Sequence, residues 1–266
     1  AYQLAILVLL LPLAMVGDLF GYRRVYLCGV ALFTVASLAS TLATGLVPLM
    51  AARALQGAFG ALTVTMKLFP AIVTLHLMGG MVLLALLCKQ AVAYARAQDH
   101  GARSVIVAPT RQLLLLVCVL AAMQIALGGW VSTNYAVLAC NTFPSCQGGL
   151  WPAMDFSQGF ELWRELGKTG AGEQLTFAAL TAIHYAHRLM AYAVFIALGV
   201  LAWRLRESGL KRQAKWMAGL ALWQFATGLS NVVLDWPLIA AVSHTGGAAA
   251  LVVVLTWAVC TSEAKA

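Results

Sequence analysis

Charged residues are scarce in this sequence, and acidic residues are the scarcest of all. Only 10% of the 266 residues are charged and nine are acidic, whereas 62% are hydrophobic. A soluble domain of this size cannot bury so much apolar surface. We therefore predict an all-α, polytopic membrane bundle of about eight transmembrane helices, because one span needs about 20 apolar residues. The predicted spans are 1–16, 25–44, 46–66, 70–90, 111–133, 176–205, 213–235 and 237–260.

The usual signatures of hydrolases are also missing. The sequence contains no nucleophile elbow, no phosphate-binding glycine loop and no H-E-x-x-H motif. Pairs of carboxylates within the spans are absent too, since Asp18 lies in a predicted turn and Asp235 at the end of a predicted helix. Any chemistry must therefore come from a bound cofactor, to which the protein contributes ligands and a dry pocket.

The charges that are present divide unevenly between the predicted loops. Lys and Arg flank the connections 89–111 and 204–215, whereas 134–175 carries four acidic residues against two basic ones. Cytoplasmic loops of membrane proteins carry an excess of basic residues. We therefore predict that 89–111 and 204–215 face the cytoplasm and that 134–175 lies on the outer face. The basic cytoplasmic loops of a protein in the lipid bilayer then explain the net charge of +8, and no nucleic-acid partner is needed to explain it.

Two of the six cysteines, Cys140 and Cys146, lie in the predicted outer loop with the spacing C-x5-C. An oxidising exterior favours a disulfide between them. Metal binding is the weaker alternative, because no histidine lies in that loop. The tryptophans near the outer boundary predict an aromatic belt at the membrane surface. These are Trp130, Trp151, Trp163 and Trp236.

Histidine is rare, and three of the five histidines lie inside predicted spans that follow the outer loop: His184, His187 and His244. His187 belongs to span 176–205 and His244 to the last span. Ionisable residues within the hydrocarbon usually mark a function. Two imidazoles at similar depth on neighbouring helices are the ligand set that holds a haem iron from both faces. We therefore favour iron ligation over simple packing for this pair.

The residues next to this pair have alternative interpretations. His184 shares a helix face with His187, so it could orient a ligand or bind a haem propionate. It could equally face the outer headgroups. Arg188 could neutralise a propionate or extend to the interface. For His76, ligation and packing remain equally open. Three intramembrane glutamines predict hydrogen bonds between helices: Gln56, Gln124 and Gln224.

A repeat with an offset of 168 residues relates the two halves of the sequence. It aligns Gln56 with Gln224 and His76 with His244, and a proline opens each histidine helix. Internal duplications of this kind are common in membrane folds. The duplication predicts another histidine helix before residue 46. No histidine precedes His76, so the repeat fails in residues 1–55.

The first 60 residues differ in kind from the rest. Gly-Asp-Leu-Phe-Gly-Tyr-Arg-Arg at 17–24 predicts a compact turn between two spans, and Arg-Ala-Leu-Gln-Gly at 53–57 follows one span later. Both patterns resemble those of major facilitator transporters, in the same order. If the turn at 17–24 is cytoplasmic, as in transporters, alternation of the spans places the loop 89–111 outside, whereas the basic charge of that loop places it in the cytoplasm. These two incompatible topologies indicate that two different sequences are joined between residues 50 and 62.

From about residue 56 onward, the sequence resembles heme A synthase, an enzyme of cytochrome oxidase assembly. The resemblance implies two four-helix halves, each holding one haem between two histidines. It implies a haem b cofactor in the second half and the substrate haem O in the first. The matching stretches are 63–70 with His76, 127–134, 139–148, 151–156, 182–188 and 243–244.

The resemblance also assigns roles to individual residues. His187 and His244 match the axial ligands of haem b, and His76 matches one ligand of the substrate site. Cys140 and Cys146 match the outer-loop cysteine pair. The implied reaction oxidises a methyl group of haem O to the formyl group of haem A. The family's first half contains an E-x-x-H-R helix whose glutamate is a candidate catalytic residue. This helix has no counterpart here. The catalytic residue is therefore unknown, and we expect weak or no turnover.

These observations lead to a prediction of three segments. Residues 1–55 are a transporter-like replacement of the first two family helices, 56–110 complete the first half, and 111–266 form a four-helix haem b bundle. The predicted function is a haem-dependent oxidoreductase of the bacterial inner membrane. Haem O synthase and oxidase assembly factors are the implied partners, and homo-oligomerisation is left open. The alternatives are a transporter fragment and a non-catalytic bis-histidine haem protein.

Overall fold

The computed structural model describes residues 22–64, 69–99 and 104–264 as an almost entirely helical protein. The prediction of an all-α membrane protein is confirmed. A 3-10 helix covers Ala136–Ala139, and two short strands, β1 (Ser104–Ile106) and β2 (Ser262–Ala264), pair in parallel. The helices are α1 (Tyr22–Leu42), α2 (Leu46–Val64), α3 (Pro70–Asp99), α4 (Ala108–Thr133), α5 (Phe156–Gly159), α6 (Phe177–Glu207), α7 (Lys211–Val233) and α8 (Leu238–Thr261).

Within residues 22–64, 69–99 and 104–264, four of the predicted spans are long and apolar enough to cross a bilayer, judged by length and composition. They lie in α3, α4, α6 and α8. The predicted span 213–235 is helical as α7, but this helix falls short in apolar character because the face that it buries is polar. Gln213, Gln224, Thr227 and Asn231 are all buried there. Such side chains can hydrogen-bond to neighbouring helices inside a membrane bundle.

The N-terminal predictions are only partly covered by the described residues. The predicted span 1–16 and residues 17–21 of the predicted turn lie outside them. The predicted turn does not extend to residue 24, because α1 already begins at Tyr22.

The chain divides into two compact units, residues 1–69 and 70–266. In the first unit α1 packs against α2, and Gln56 Nε2 donates a hydrogen bond to Ser37 Oγ at 2.9 Å. This bond confirms the interhelical role predicted for Gln56. The sequence-based segment boundaries at 55/56 and 110/111 remain predictions.

The second unit is a four-helix bundle with a fifth helix against it. Going round the bundle, α4 contacts α6, α6 contacts α7, α7 contacts α8, and α8 contacts α4, while α3 packs against α4 and α8. A core of Leu114, Val117, Leu198, Leu201, Leu205, Met217 and Leu255 fills the end of the bundle near β1. Arg111 Nη1 closes this end by donating to Val259 O at 2.8 Å and to Ser262 Oγ at 2.9 Å.

The loop between α4 and α6 is folded over the other end of the bundle. Cys140 and Cys146 form the predicted disulfide. Trp130 Nε1 donates to Gly159 O at 2.8 Å, and the guanidinium of Arg164 lies 5.5 Å from the centre of its ring. The belt prediction is therefore wrong for Trp130, which is 5% exposed because the loop covers its indole.

Candidate functional site

A cavity of about 450 Å³ lies among α3, α4, α6, α7 and α8, within the second unit. Most of its lining is apolar, as in the stretch contributed by Val194, Phe195 and Leu198. A mostly apolar pocket with a few convergent polar groups is the usual form of a cofactor site. The polar lining includes Gln124, His184, His187, Arg188, Gln224, Asn231 and His244.

His187 and His244 reach this cavity from α6 and α8. His187 lies ten residues after Phe177, the start of α6, and His244 six residues after Leu238, the start of α8. These separations correspond to about 15 and 9 Å along the two helices. The structure therefore brings together the two histidines that the sequence predicted as a pair, and their role as iron ligands stays a prediction.

Each of these histidines is held by a glutamine from the helix that precedes its own in the bundle. Gln124 Nε2 on α4 donates to His187 O at 3.2 Å, and Gln224 Nε2 on α7 donates to His244 O at 2.9 Å. The interhelical role predicted for both glutamines is confirmed. Because the contact is the same, the α4–α6 and α7–α8 pairs repeat one local arrangement.

A glycine stands four residues after each glutamine and packs against the imidazole of the same histidine. A Cβ atom on Gly128 would lie 3.1 Å from His187 Cε1, and one on Gly228 would lie 3.2 Å from His244 Cε1. Both distances are shorter than ordinary carbon–carbon contacts of about 3.5–4.0 Å. A larger residue at either position would therefore push the ring away from the helix.

The ring nitrogens of the two histidines have different neighbours. His244 Nδ1 lies 2.9 Å from the hydroxyl oxygen of Thr227. His187 Nδ1 and Nε2 lie 3.1 and 3.3 Å from Gln124 Nε2, the nitrogen of a side-chain amide. The repeated arrangement is therefore symmetric in backbone contacts and asymmetric in ring contacts.

His184 lies inside the bundle, one helical turn before His187. It is 3% exposed and lines the cavity, so its ring does not face the outer headgroups. Within the described part of the chain, its Nδ1 atom is buried without a hydrogen-bond partner. The Nδ1 atom is therefore open to a polar group in the cavity, and a role of His184 in binding a haem stays a prediction.

Arg188 binds the disulfide loop rather than extending to the interface. Its Nη1 atom donates to the backbone oxygens of Thr142 and Ser145 at 2.7 and 3.0 Å, and its Nη2 atom donates to Cys140 O at 2.6 Å. These three bonds connect the helix that carries His187 to the loop closed by Cys140 and Cys146. The sequence offered no signal for this role, because the acceptors are backbone atoms more than 40 residues away.

His76 lies apart from the other two histidines. It is exposed on α3 and does not line the cavity, although its neighbours Val73 and Leu77 do. The structure thus does not bring His76 to His187 and His244. Its assignment to a substrate site remains a prediction that rests on the family resemblance.

Four polar atoms of the cavity lining are buried and have no hydrogen-bond partner among the described residues. Most buried polar groups in proteins are hydrogen-bonded, so such a concentration is unusual. In residues 22–64, 69–99 and 104–264, no cluster of three or more His, Cys, Asp or Glu could hold a bare metal ion. The four atoms are Gln124 Oε1, His184 Nδ1, Arg188 Nε and Asn231 Oδ1.

Two charged residues stabilise the loop above the site. Arg164 is 2% exposed and donates from Nη2 to Asn134 Oδ1 at 2.6 Å, and burial lowers the pKa of its guanidinium. Asp155 caps α5 by accepting from the backbone N–H of Gln158. Hydrogen bonds from the Ser157 hydroxyl and the Gln158 N–H lower the pKa of its carboxyl.

Sequence reasoning missed two polar residues of the cavity region. Thr227 and Asn231 lie one helical turn apart on the buried face of α7, and neither was predicted as part of a site. The available signal was weak: a threonine stands directly before Gly228 in the motif that begins at Gln224. Hydroxyl and amide side chains are common in membrane helices for packing alone.

Comparison with known proteins identifies the family. Residues 14–256 match the family described as cytochrome oxidase assembly protein. The heme A synthase of Shewanella oneidensis is 38% identical over 208 residues, which are 75% of this chain and 61% of that protein. The heme A synthase of Methylobacterium radiotolerans is 32% identical over 209 residues, which are 76% of this chain and 54% of that protein. The chain thus spans between half and two thirds of the length of these relatives.

A different similarity covers a short stretch. An uncharacterized transporter of Escherichia coli, YebQ, is 48% identical over 61 residues, which are 23% of this chain and 13% of that protein. No solved structure matches the chain. The match over residues 14–256 covers most of the sequence, and this chain therefore belongs to the cytochrome oxidase assembly protein family.

Proposed function

We propose that the second unit binds one haem b between His187 and His244 and that the chain acts in haem A biosynthesis. The observation that carries the proposal is the shared cavity, which both imidazoles reach from helices that repeat one glutamine–glycine arrangement. Two imidazoles are the ligand set expected for a six-coordinate haem. A metal held by a macrocycle suits this pair, since no group of three or more His, Cys, Asp or Glu side chains among the described residues is arranged to hold a bare ion.

The chemistry of the lining fits a haem in two further respects. The apolar side chains suit the porphyrin faces, and Gly128 and Gly228 leave room for the imidazole edges. The unpartnered Arg188 Nε and His184 Nδ1 suit the carboxylates at one edge of a haem. Arg188 would then hold a carboxylate and the disulfide loop at the same time, because its Nη atoms are already engaged.

His187 needs one local adjustment to act as a ligand. At present the Gln124 amide nitrogen contacts both ring nitrogens. A half turn of this amide would bring Gln124 Oε1, which has no partner in the described ranges, to the ring, and would give up the bond from Gln124 Nε2 to His187 O. That oxygen could accept the Nδ1–H hydrogen bond, and Nε2 would be left for the iron.

When bound, the haem would supply one-electron transfer. The residues of the chain would hold it, orient its ligands and exclude water from it, as the apolar lining indicates. Oxidation of the haem O methyl to the formyl of haem A is the reaction that the family resemblance implies. We expect weak or no turnover from this chain, because the E-x-x-H-R helix of the first half has no counterpart in the sequence.

Spectroscopy of the purified chain tests the haem site. The wild-type protein should show a six-coordinate, low-spin b-type haem, and His187→Ala and His244→Ala should each abolish that signal. His76→Ala is the matched control, since His76 lies outside the cavity, and it should retain the signal. An unchanged spectrum in His244→Ala would overturn the proposal.

Turnover separates an enzyme from a non-catalytic haem protein with the same ligands. Membranes that contain the chain would be incubated with haem O, and the porphyrins would be extracted and weighed by mass spectrometry. Haem A formation above membranes without the chain would establish the enzyme. Its absence, with an intact low-spin spectrum, would establish the haem-binding alternative.

Transport is a second candidate, favoured by the 61-residue similarity to an uncharacterized transporter. It also rests on the two transporter-like sequence patterns at 17–24 and 53–57. Proton-coupled uptake into vesicles by haem-free protein would support this function. Vesicles that take up no more substrate with the chain than without it would exclude it.

A further inference from the structure

We infer that Thr227 is a positioning residue that sets the ring tautomer of His244 and thereby makes Nε2 its iron-binding atom. The inference rests on the proposed haem site. Thr227 lies on α7, three residues after Gln224, and its hydroxyl oxygen is 2.9 Å from His244 Nδ1. This short contact can be made in two ways, with the hydroxyl as donor or as acceptor.

The other partner of the hydroxyl decides between the two. Thr227 Oγ1 also lies 2.8 Å from the backbone oxygen of Trp223, which can only accept. A hydroxyl has one proton, and that proton is needed between the two oxygens. Thr227 must therefore accept a hydrogen bond from His244 Nδ1–H. A neutral imidazole carries one N–H, so Nε2 holds the free lone pair that a metal requires.

The surrounding contacts fix the backbone that carries this ring. Trp223 Nε1 donates to Ser243 O at 3.1 Å, and Gln224 Nε2 donates to His244 O at 2.9 Å. With Thr227 included, three side chains within five residues of α7 hold two consecutive residues of α8. Gly228 packs against the same ring edge, since its Cβ would lie 3.6 Å from Nδ1.

The matching position on α4 has no such hydroxyl. Three residues after Gln124 stands Leu127, which has no polar atom in its side chain. Among the described residues of the bundle, the ring nitrogens of His187 contact only the Gln124 amide. The two ligands are therefore inequivalent: His244 has a determined tautomer, whereas the ring of His187 depends on the orientation of one amide.

An Nδ1–H hydrogen bond makes a ligating imidazole more basic and stabilises the ferric iron that it binds. Removal of the acceptor should therefore weaken haem binding and raise the reduction potential. Changes to such supporting residues typically cost about 10- to 100-fold in metal affinity. Loss of the Thr227 hydroxyl should lie in that range, without loss of either ligand.

The test compares three variants of the full chain, each purified with its haem. Thr227→Val removes the hydroxyl and keeps the shape, and Thr227→Ser restores the hydroxyl. Ser230→Ala is the matched control, because Ser230 lies on the same helix and its hydroxyl donates to Ala226 O at 2.8 Å, away from His244. The readouts are the rate of haem loss to excess apomyoglobin and the midpoint potential of the haem.

Thr227→Val should lose haem about 10- to 100-fold faster than wild type and have a more positive midpoint potential. Thr227→Ser and Ser230→Ala should match wild type in both readouts. If Thr227→Val is not produced as folded protein, Thr227→Ala replaces it with the same expectation. A low-spin wild-type haem whose loss rate and potential do not respond to either substitution would overturn the inference and leave the haem site standing. A wild-type chain without a low-spin haem would overturn both.

Discussion

Two adjacent glycines of α8, Gly246 and Gly247, should respond to alanine in opposite ways. Among the described residues, nothing lies within 4 Å of a Cβ built on Gly246. A Cβ on Gly247 would lie 2.6 Å from Trp223 Cδ1 and 2.7 Å from Gln224 Nε2. The two positions share one helix and the same backbone conformation, so the pair isolates the close approach of α7 to α8.

The expected magnitudes follow from these distances. Replacement of a mid-helix glycine by alanine stabilises a helix by about 0.5–1 kcal/mol, and Gly246→Ala should gain that amount. At Gly247, the Trp223 and Gln224 side chains must move back by roughly 1 Å to reach ordinary contact distance, and such overpacking costs about 1–3 kcal/mol. The movement also weakens the hydrogen bond from Gln224 to His244, worth about 1 kcal/mol. Gly247→Ala should therefore be destabilised by about 1–3 kcal/mol after the helical gain is subtracted.

Thermal unfolding of the purified variants, followed by tryptophan fluorescence, measures this difference. Gly246→Ala should melt above wild type and Gly247→Ala below it. If the Gly247 variant is as stable as the Gly246 variant, the close packing of α7 against α8 described above is incorrect.

Two further predictions concern the loop between α4 and α6. Arg188→Met should lower the free energy of unfolding by about 2–4 kcal/mol, because it leaves the buried carbonyls of the disulfide loop without donors. Chemical unfolding of the purified chain measures this loss. A change within about 0.5 kcal/mol would contradict the role of Arg188. Asp155 has a depressed pKa in the folded state, so the stability that its carboxylate contributes is present above the unfolded pKa of about 3.9 and is lost as pH falls through the lower folded value. The melting temperatures of wild type and Asp155→Asn should therefore differ near neutral pH and converge in acid; a constant difference across that range would count against this cap.

Much of the helical architecture could be predicted from the sequence, because a membrane helix satisfies its own backbone hydrogen bonds and is recognised by local composition. The predicted span 70–90 begins at Pro70, as α3 does, and 111–133 ends at Thr133, as α4 does. The ends of α3 and α6 were predicted short. Both helices continue through residues of good helix propensity, such as Arg96 in α3 and Arg206 in α6, after the apolar run has ended.

The candidate site was predictable only in part. His187 and His244 were identifiable from the sequence because ionisable residues are rare in hydrocarbon. The structure shows that both side chains line the same cavity. The assignment of Arg188 to the disulfide loop could not be predicted, because any buried carbonyl can accept from a guanidinium and the sequence does not say which one is near. Thr227 was overlooked for a related reason: a threonine in an apolar helix usually bonds to its own backbone, as Thr227 also does.

By itself, the sequence determined that this protein is a helical membrane protein, and it singled out the histidines through which a haem could be held. Composition suffices for both, since the bilayer excludes charge and unpaired backbone groups wherever they lie along the chain. Only the tertiary structure decided which side chains meet these histidines. His244 is contacted by Gln224, Thr227 and Gly228. These contacts require a particular rotation of α7 about its own axis and a particular position of α7 along α8. A hydrogen bond of about 3 Å depends on both, and neither is encoded in local hydropathy.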